Sequence, residues 1–314
     1  AAPLPARSRT LCVRAGGRAA RRAQRPGLHP ARLTGYGCSD ILVDVSTAGT
    51  YKPSRHTIKW ERTMKDCRIG PLAIGTPPRV VGTLSVRDSL RSACPEHDYA
   101  CDVVEVRLDE MGSDTPGWLR DCKAIEAAGY PVILTLRLAI EGGKWSQPDE
   151  KREDVLAAAL DSLACIDVEL TSKLCPSLCR QARELKKYII VSSHDFQRTP
   201  TLATLKDVLH RILEIPFAIP KISTMVTDDG DVDTLMKLVE LRDIGPACII
   251  GMGSKGTRTR VLFPVLGSCL AYGYIDSPSA PGQLPASILT QQIRQLLPRY
   301  NQDMIIRKEI MECV

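Results

Sequence analysis

A chain of 314 residues with 44% hydrophobic content can bury a sizeable core, as one large domain or two small ones. No stretch approaches the roughly 18 consecutive apolar residues of a membrane-spanning helix, so a soluble protein without a membrane partner is expected. The net charge of +6 is concentrated: residues 1–63 hold 12 of the 42 basic side chains and three of the 36 acidic ones, leaving the body net acidic by three, which argues against a nucleic-acid-binding core.

Residues 1–37 are rich in Arg, Ala and Pro and contain no acid. Such a segment buries too little surface to offset the entropy of ordering, and a poorly ordered extension over 1–63 is expected. Its acid-poor, Arg-rich character fits an organelle transit peptide, and it fits equally well upstream sequence joined by a misplaced start, since Met64 opens a 251-residue stretch, 64–314, that reads as a complete domain. Between the two lies a weak strand-like run at 41–45. Twelve cysteines are scattered, several inside apolar runs (Cys101, Cys165, Cys248, Cys269). The one close pair, Cys175 and Cys179, has no nearby His or Cys to complete a metal site, so reduced core thiols in a cytosol-like compartment are expected.

From Met64 onward, short β-branched runs recur at 80–84, 103–108, 132–136, 165–170, 188–192, 219–225, 248–252 and 269–275. Most are separated by segments with apolar residues at three- and four-residue spacing. One follows Thr199-Pro200, with Leu202, Leu205, Leu209 and Ile212 on one face, a threonine cap and Pro in its first turn. Another spans 231–244 and is stopped by Gly245-Pro246. Eight strands alternating with helices over about 250 residues predict a parallel (β/α)8 TIM barrel with its site at the C-terminal ends of the strands. A doubly wound sheet is the alternative, but Thr83-Leu84-Ser85-Val86-Arg87 is no Gly-rich dinucleotide turn.

Residues two apart on a strand share a face, and the predicted strand ends carry polar groups on shared faces: Glu105 with Arg107, Ser192 with His194, Lys221 with Ser223. Arg137 ends the third strand with Glu141-Gly142-Gly143 beyond it; Met252 ends the seventh, followed by Arg260. Lys221 lies within the apolar run Ile219-Pro220-Lys221-Ile222. A buried lysine there must shed its charge, pair with an anion or react, and a neutral amine can form a Schiff base with a carbonyl compound. His194 is the candidate proton carrier, oriented by Glu141. Arg137 and Arg260 suit an anionic substrate. The loop Gly251-Met252-Gly253-Ser254-Lys255-Gly256 is a candidate phosphate cradle or an ordinary strand-to-helix turn, and Ser279-Ala280-Pro281-Gly282-Gln283 a candidate lid or an ordinary surface turn.

These motifs, in order and spacing, resemble type I 3-dehydroquinate dehydratase, a Schiff-base enzyme of the shikimate pathway in aromatic amino acid biosynthesis. The resemblance rests on Glu105-Val106-Arg107-Leu108-Asp109, Leu136-Arg137 with Glu141-Gly142-Gly143, Ser193-His194-Asp195-Phe196 with Thr199-Pro200, Ile219-Pro220-Lys221-Ile222, Gly251-Met252-Gly253 to Arg260, and Ser279-Ala280-Pro281-Gly282-Gln283, with Ile74-Gly75-Thr76 ahead of the first strand. It runs from Met64 almost to the C-terminus and does not cover 1–63. It implies a lyase, often homodimeric, with neither metal nor organic cofactor, acting on 3-dehydroquinate. By motif match it implies Lys221 as the Schiff-base lysine, His194 as general acid and base, and Glu141 as the group orienting that histidine. Glu105, Arg107 and Arg137 would bind substrate hydroxyls, Arg260 the substrate carboxylate, and Ser279 with Gln283 would close over it. Thr83, Met252, Tyr272 and Ala280 complete the expected substrate contacts; Thr83 stands where the family often has Ser, and Tyr272 where Phe is common. Two rivals remain: a class I aldolase-type barrel with its phosphate at the Gly251 loop, and a non-catalytic relative that senses a metabolite. A cytoplasmic location is expected, or an organellar one if 1–63 is a transit peptide.

Overall fold

The structure, a computed structural model, describes residues 67–300 apart from 93–97, 113–114, 242–244 and 299. The expected extension over 1–63 and its run at 41–45 lie outside the described residues. Eight strands form one sheet: β1 (Arg79–Leu84), β2 (Val103–Arg107), β3 (Val132–Thr135), β4 (Cys165–Glu169), β5 (Ile189–Asp195), β6 (Ala218–Met225), β7 (Cys248–Met252) and β8 (Leu270–Tyr274). From β1 to β7 each strand pairs in parallel with the next in sequence, and β8 pairs with β1 from Leu270↔Arg79 to Tyr274↔Thr83. Between β7 and β8 the backbone is joined at the lower end, where Cys269 N–H donates to the Ala247 carbonyl at 2.9 Å. The result is the nearly closed (β/α)8 barrel that the strand spacing predicts.

Helices cover the outside of the barrel because their apolar stripes match the outward faces of the strands. In Leu202–Leu213 the buried positions are Leu205, Leu209 and Ile212, the predicted face. Its cap falls two residues later than expected: Thr201 accepts from Thr204 N–H, and Pro200 precedes the helix. Thr199 is not free to cap, since its hydroxyl lies 2.9 Å from that of Thr224 and donates to the Met225 carbonyl at 2.8 Å, tying this loop to β6. The helix expected over 231–244 spans Asp229–Val239 and begins earlier because Asp228 caps it, accepting from Asp231 N–H.

The barrel interior is divided by chemistry. Its lower half is apolar, packed from Val81, Val103, Ile133, Cys165, Ile190, Ile219, Cys248 and Leu270. A small antiparallel hairpin, Arg68–Ile69 with Leu72–Ala73, adds Ile69 and Leu72 to this cluster. Strands of two residues leave no periodic signal, and the hairpin was not predicted. The eight described cysteines are all buried and free. Cys175 and Cys179 stand with sulfurs 3.7 Å apart in the first turn of one helix. Above the apolar half, Thr83, Glu105, Thr135, Asp167, Ser192 and Lys221 are all buried. Stacked layers in such barrels are ordinarily filled by branched apolar side chains, so this polar layer carries a desolvation cost that demands partners.

Candidate active site

The polar layer supplies its own partners. Lys221 Nζ on β6 donates to Asp167 Oδ2 on β4 at 2.9 Å and lies 3.7 Å from Glu105 Oε1. The ring of Tyr272, from β8, faces the same nitrogen at 4.1 Å to its centroid. Of the three fates open to a buried lysine, the structure shows pairing with an anion. Asp167 is itself shared: Ser192 Oγ donates to Oδ1 at 2.6 Å, and Arg137 Nη2 pairs with Oδ1 at 2.8 Å. Burial opposes charge on Asp167, but Arg137 and Lys221 outweigh it and hold the carboxyl far below the usual range.

Arg137 also pairs with Glu169 at 3.1 Å and donates to Ser192 Oγ at 2.7 Å. Arg137 lines the cleft with its guanidinium fork engaged by Asp167 and Glu169 of β4. Arg107 is likewise engaged, holding Asp109 through two bonds of 2.9 Å and Glu110 at 3.2 Å. Arg260 differs. Its Nη1 and Nη2 donate to the carbonyls of Tyr272 and Pro281 at 3.1 and 3.2 Å, and its Nε is buried with no hydrogen-bond partner among the described residues. Burial lowers its pKa to about 10, the mark of a cation in need of an anion.

On the opposite wall, Glu141 Oε2 accepts from His194 N–H at 3.0 Å and meets His194 Nδ1 at 2.9 Å. A carboxylate only accepts, so Nδ1 carries the proton and Nε2 keeps its lone pair. Burial first, then the charges of Arg137 and Lys221, hold the imidazole well below its ordinary pKa, so it is a neutral base at neutral pH. The glycines explain the position of Glu141. A side chain on Gly143 would place its Cβ 2.0 Å from the Arg137 carbonyl oxygen, and Gly142, at φ +79°, has Phe196 2.3 Å from where a Cβ would stand. Only Gly-Gly lets the loop fold back so closely on β3.

A cleft of about 480 Å³, open to solvent, joins these groups at the C-terminal ends of the strands. Lys221, His194 and Glu141 line it, as do Glu105, Arg107, Arg137, Met252, Arg260 and Tyr272. Ser279, Ala280 and Gln283 line it from above. Of the sequence-predicted residues, Thr83 is displaced: it is wholly buried below the cleft, donating to Glu105 at 3.0 Å and standing 3.4 Å from Gln283 Nε2. The 279–283 loop is docked through Pro281, whose carbonyl accepts from Gly253 and Arg260. The amides of Gly251, Gly253 and Gly256 all donate within the protein, to Thr259 Oγ1, the Pro281 carbonyl and the Gly253 carbonyl, so these three glycines offer no free amide to a phosphate.

Sequence reasoning missed Asp167 and Glu169, which sit in a run taken as apolar, 165–170. Their two-residue spacing, the same test that marked Glu105 and Arg107, was the available signal. Thr171, whose hydroxyl donates to Glu141 Oε1 at 2.7 Å, carried none.

Comparison with known proteins agrees with this geometry. The 3-dehydroquinate dehydratase of Methanocella arvoryzae is 34% identical over 220 residues, 70% of this chain and 97% of the relative. The crystal structure of 3-dehydroquinate dehydratase from Aquifex aeolicus superposes with a TM-score of 0.61 at 25% identity, covering 69% of this chain and 98% of that one. That of the Geobacillus kaustophilus enzyme gives 0.64 at 23% identity, over 70% and 91% respectively, and supports the fold. The type I 3-dehydroquinase family model matches residues 81–298, and the chain belongs to that family.

Proposed function

We propose that the protein dehydrates 3-dehydroquinate to 3-dehydroshikimate through a Schiff base on Lys221, with His194 as general acid and base. The observation that carries this reading is the meeting, in one cleft, of a buried lysine amine, a neutral imidazole held on a carboxylate, and an arginine with no carboxylate partner among the described residues.

The substrate carboxylate pairs with Arg260, which sets the C3 ketone toward Lys221. Lys221 first gives up a proton. Asp167, stabilised as the anion by Arg137, is a weak base, so His194 is the acceptor the site offers. The amine attacks C3, the carbinolamine loses water with a proton from His194, and the iminium forms. The iminium draws electrons from the C2–H bond and His194 Nε2 takes that proton, giving an enamine. The enamine electrons then expel the C1 hydroxyl, which leaves as water with the proton from His194. A water molecule hydrolyses the new iminium and restores the amine. The net change is the loss of one water molecule, using side chains alone.

The docked 279–283 loop supports a role for Ser279 and Gln283 as a cover over bound substrate, and the engagement of the Gly251, Gly253 and Gly256 amides within the protein disfavours a phosphorylated aldolase substrate. We further place the catalytic body at 64–314, acting in the cytoplasm as a homodimer without a nucleic-acid partner; light scattering of the purified chain tests the dimer. Among the described residues no helix is long and apolar enough to cross a membrane. Borohydride added during turnover should leave a reduced adduct on Lys221, located by mass spectrometry. An unmodified lysine under full turnover would sink the mechanism.

A further inference from the structure

We propose that Thr171 is a positioning residue for the Glu141–His194 pair, fixing the carboxylate so that the imidazole presents a bare Nε2 to the cleft. The inference rests on the reading of His194 as the proton carrier.

The two oxygens of Glu141 have separate duties. Oε2 holds His194 through its main-chain N–H at 3.0 Å and its ring Nδ1 at 2.9 Å. Oε1 accepts one side-chain bond, from Thr171 Oγ1 at 2.7 Å. A terminal carboxylate turns easily about its last torsion. With Oε1 tethered it cannot turn, and Oε2 stays in line with Nδ1. If the tether is lost, Oε1 competes for water at the rim, Nδ1 loses its fixed acceptor and the ring is free to carry its proton on Nε2, where it is no base.

The threonine is itself firmly placed. Leu170 N–H, just before it, donates to the Ser192 carbonyl at 2.8 Å on β5, and Ser172 N–H, just after it, to the Glu169 carbonyl at 3.0 Å. Ser172 is further anchored by Arg152, which reaches its Oγ at 3.0 Å from a fully buried position. The hydroxyl thus stands on a loop that β4 and β5 both hold. The residue is exposed as a whole, so its hydroxyl can be removed without opening the core.

Charge adds a second consequence. Glu141 is raised in pKa chiefly by burial, and the Thr171 bond is the largest influence that lowers it. The other ionisable groups facing it are Arg137 from β3, Glu169 from β4 and His194 from β5. The hydroxyl donates to the ionised carboxylate, so its loss extends the protonated state of Glu141 to higher pH and removes the Nδ1 acceptor there.

The test is the pH dependence of kcat and kcat/KM between pH 5 and 9 for the wild type, Thr171→Val, Thr171→Ala, Thr171→Ser and His194→Ala, each checked for an unchanged melting temperature. Val and Ala should lower kcat by about tenfold on the acid side and move the acid limb to higher pH, with KM within about twofold; Ser should restore the wild-type limb. A Val profile that superimposes on wild type, or a Ser variant no better than Val, overturns the proposal. His194→Ala separates the two ideas. Wild-type turnover there removes the histidine reading itself, whereas an inactive His194→Ala beside an unaltered Thr171→Val profile removes Thr171 alone.

Discussion

Replacing Asp167 by Asn tests the charge arrangement most directly. The carboxylate is 0% exposed and shared by Lys221 at 2.9 Å and Arg137 at 2.8 Å. The isosteric amide keeps the volume and one acceptor but removes the anion, leaving two buried cations facing each other. Breaking such a pair costs about 3–5 kcal/mol; Glu105, 3.7 Å from Lys221, and Glu169, 3.1 Å from Arg137, remain as partial partners and favour the lower end. At about 3 kcal/mol the melting temperature of a domain this size falls by about 6–12 °C. The sign with pH follows from the depressed pKa of Asp167. Its stabilising contribution is complete above the unfolded value, about 3.9, and fades only as pH falls from there toward the folded value. Urea unfolding of both proteins should therefore give a difference that is constant between pH 5 and 8. Turnover should fall by about 100-fold, because in the proposed mechanism the same carboxylate would face the iminium nitrogen. A variant within about 0.5 kcal/mol of wild type, or a difference that vanishes by pH 6, refutes the idea that Asp167 is the ionised counter-charge of this layer.

Arg260→Gln removes the guanidinium whose described partners are backbone carbonyls, and KM should rise by about tenfold or more with a smaller change in kcat. An unchanged KM means that the substrate carboxylate lies elsewhere. Tyr272→Phe keeps the ring over Lys221 and deletes a buried hydroxyl with no hydrogen-bond partner among the described residues. It should raise stability by about 1 kcal/mol in urea, with kcat within about twofold; a less stable variant refutes the reading of that hydroxyl as unpartnered. His194 is neutral in the fold, its pKa held well below 6.5 by burial, Arg137 and Lys221. Unfolding below about pH 6.5 therefore takes up a proton there, and stability is lost as pH falls toward the folded value, by up to about 1.4 kcal/mol per pH unit. His194→Asn should flatten the wild-type curve between pH 6.5 and 5 by that slope, and parallel curves would exclude a neutral folded imidazole.

The residues proposed to react were legible in the sequence, and the groups that hold them in place were largely not. Lys221 and His194 stand out because a charged or ionisable residue in or at the end of a β-branched run breaks a two-residue pattern, and Glu141 through its place beyond the third strand and the resemblance carried by Glu141-Gly142-Gly143. Asp167 breaks the same pattern in Cys165-Ile166-Asp167-Val168-Glu169, yet its meaning is tertiary: it is the countercharge of Lys221 two strands away and of Arg137 on the adjacent strand. Barrel closure creates that relation, and no local spacing encodes it. The cap at Thr201 shows the same limit, since propensity allowed either threonine and a contact with β6 decided. The sequence places Thr83 on a strand face but gives no depth along the barrel axis, and the fold buries it wholly behind the cleft lining.

The missed countercharges change how the proposed chemistry should be understood. A lysine nucleophile is often pictured as an amine made neutral by an apolar pocket. Here Lys221 has one carboxylate at 2.9 Å and another at 3.7 Å. The ammonium of the free enzyme and the iminium of the intermediate carry the same charge at nearly the same point. Dipoles and ions arranged for the first therefore serve the second without rearrangement, which is the condition for electrostatic preorganisation. The neutral amine is needed only at the moment of attack. Its proton must then go to a base that is itself uncharged, and His194, held neutral by its surroundings, meets that requirement where Asp167 does not. On this reading the carboxylate layer stabilises the electron sink and the histidine carries every proton, so the substitution of Asp167 should slow the steps after imine formation more than imine formation itself. Single-turnover trapping with borohydride would reveal this as imine that accumulates in Asp167→Asn instead of passing on to product.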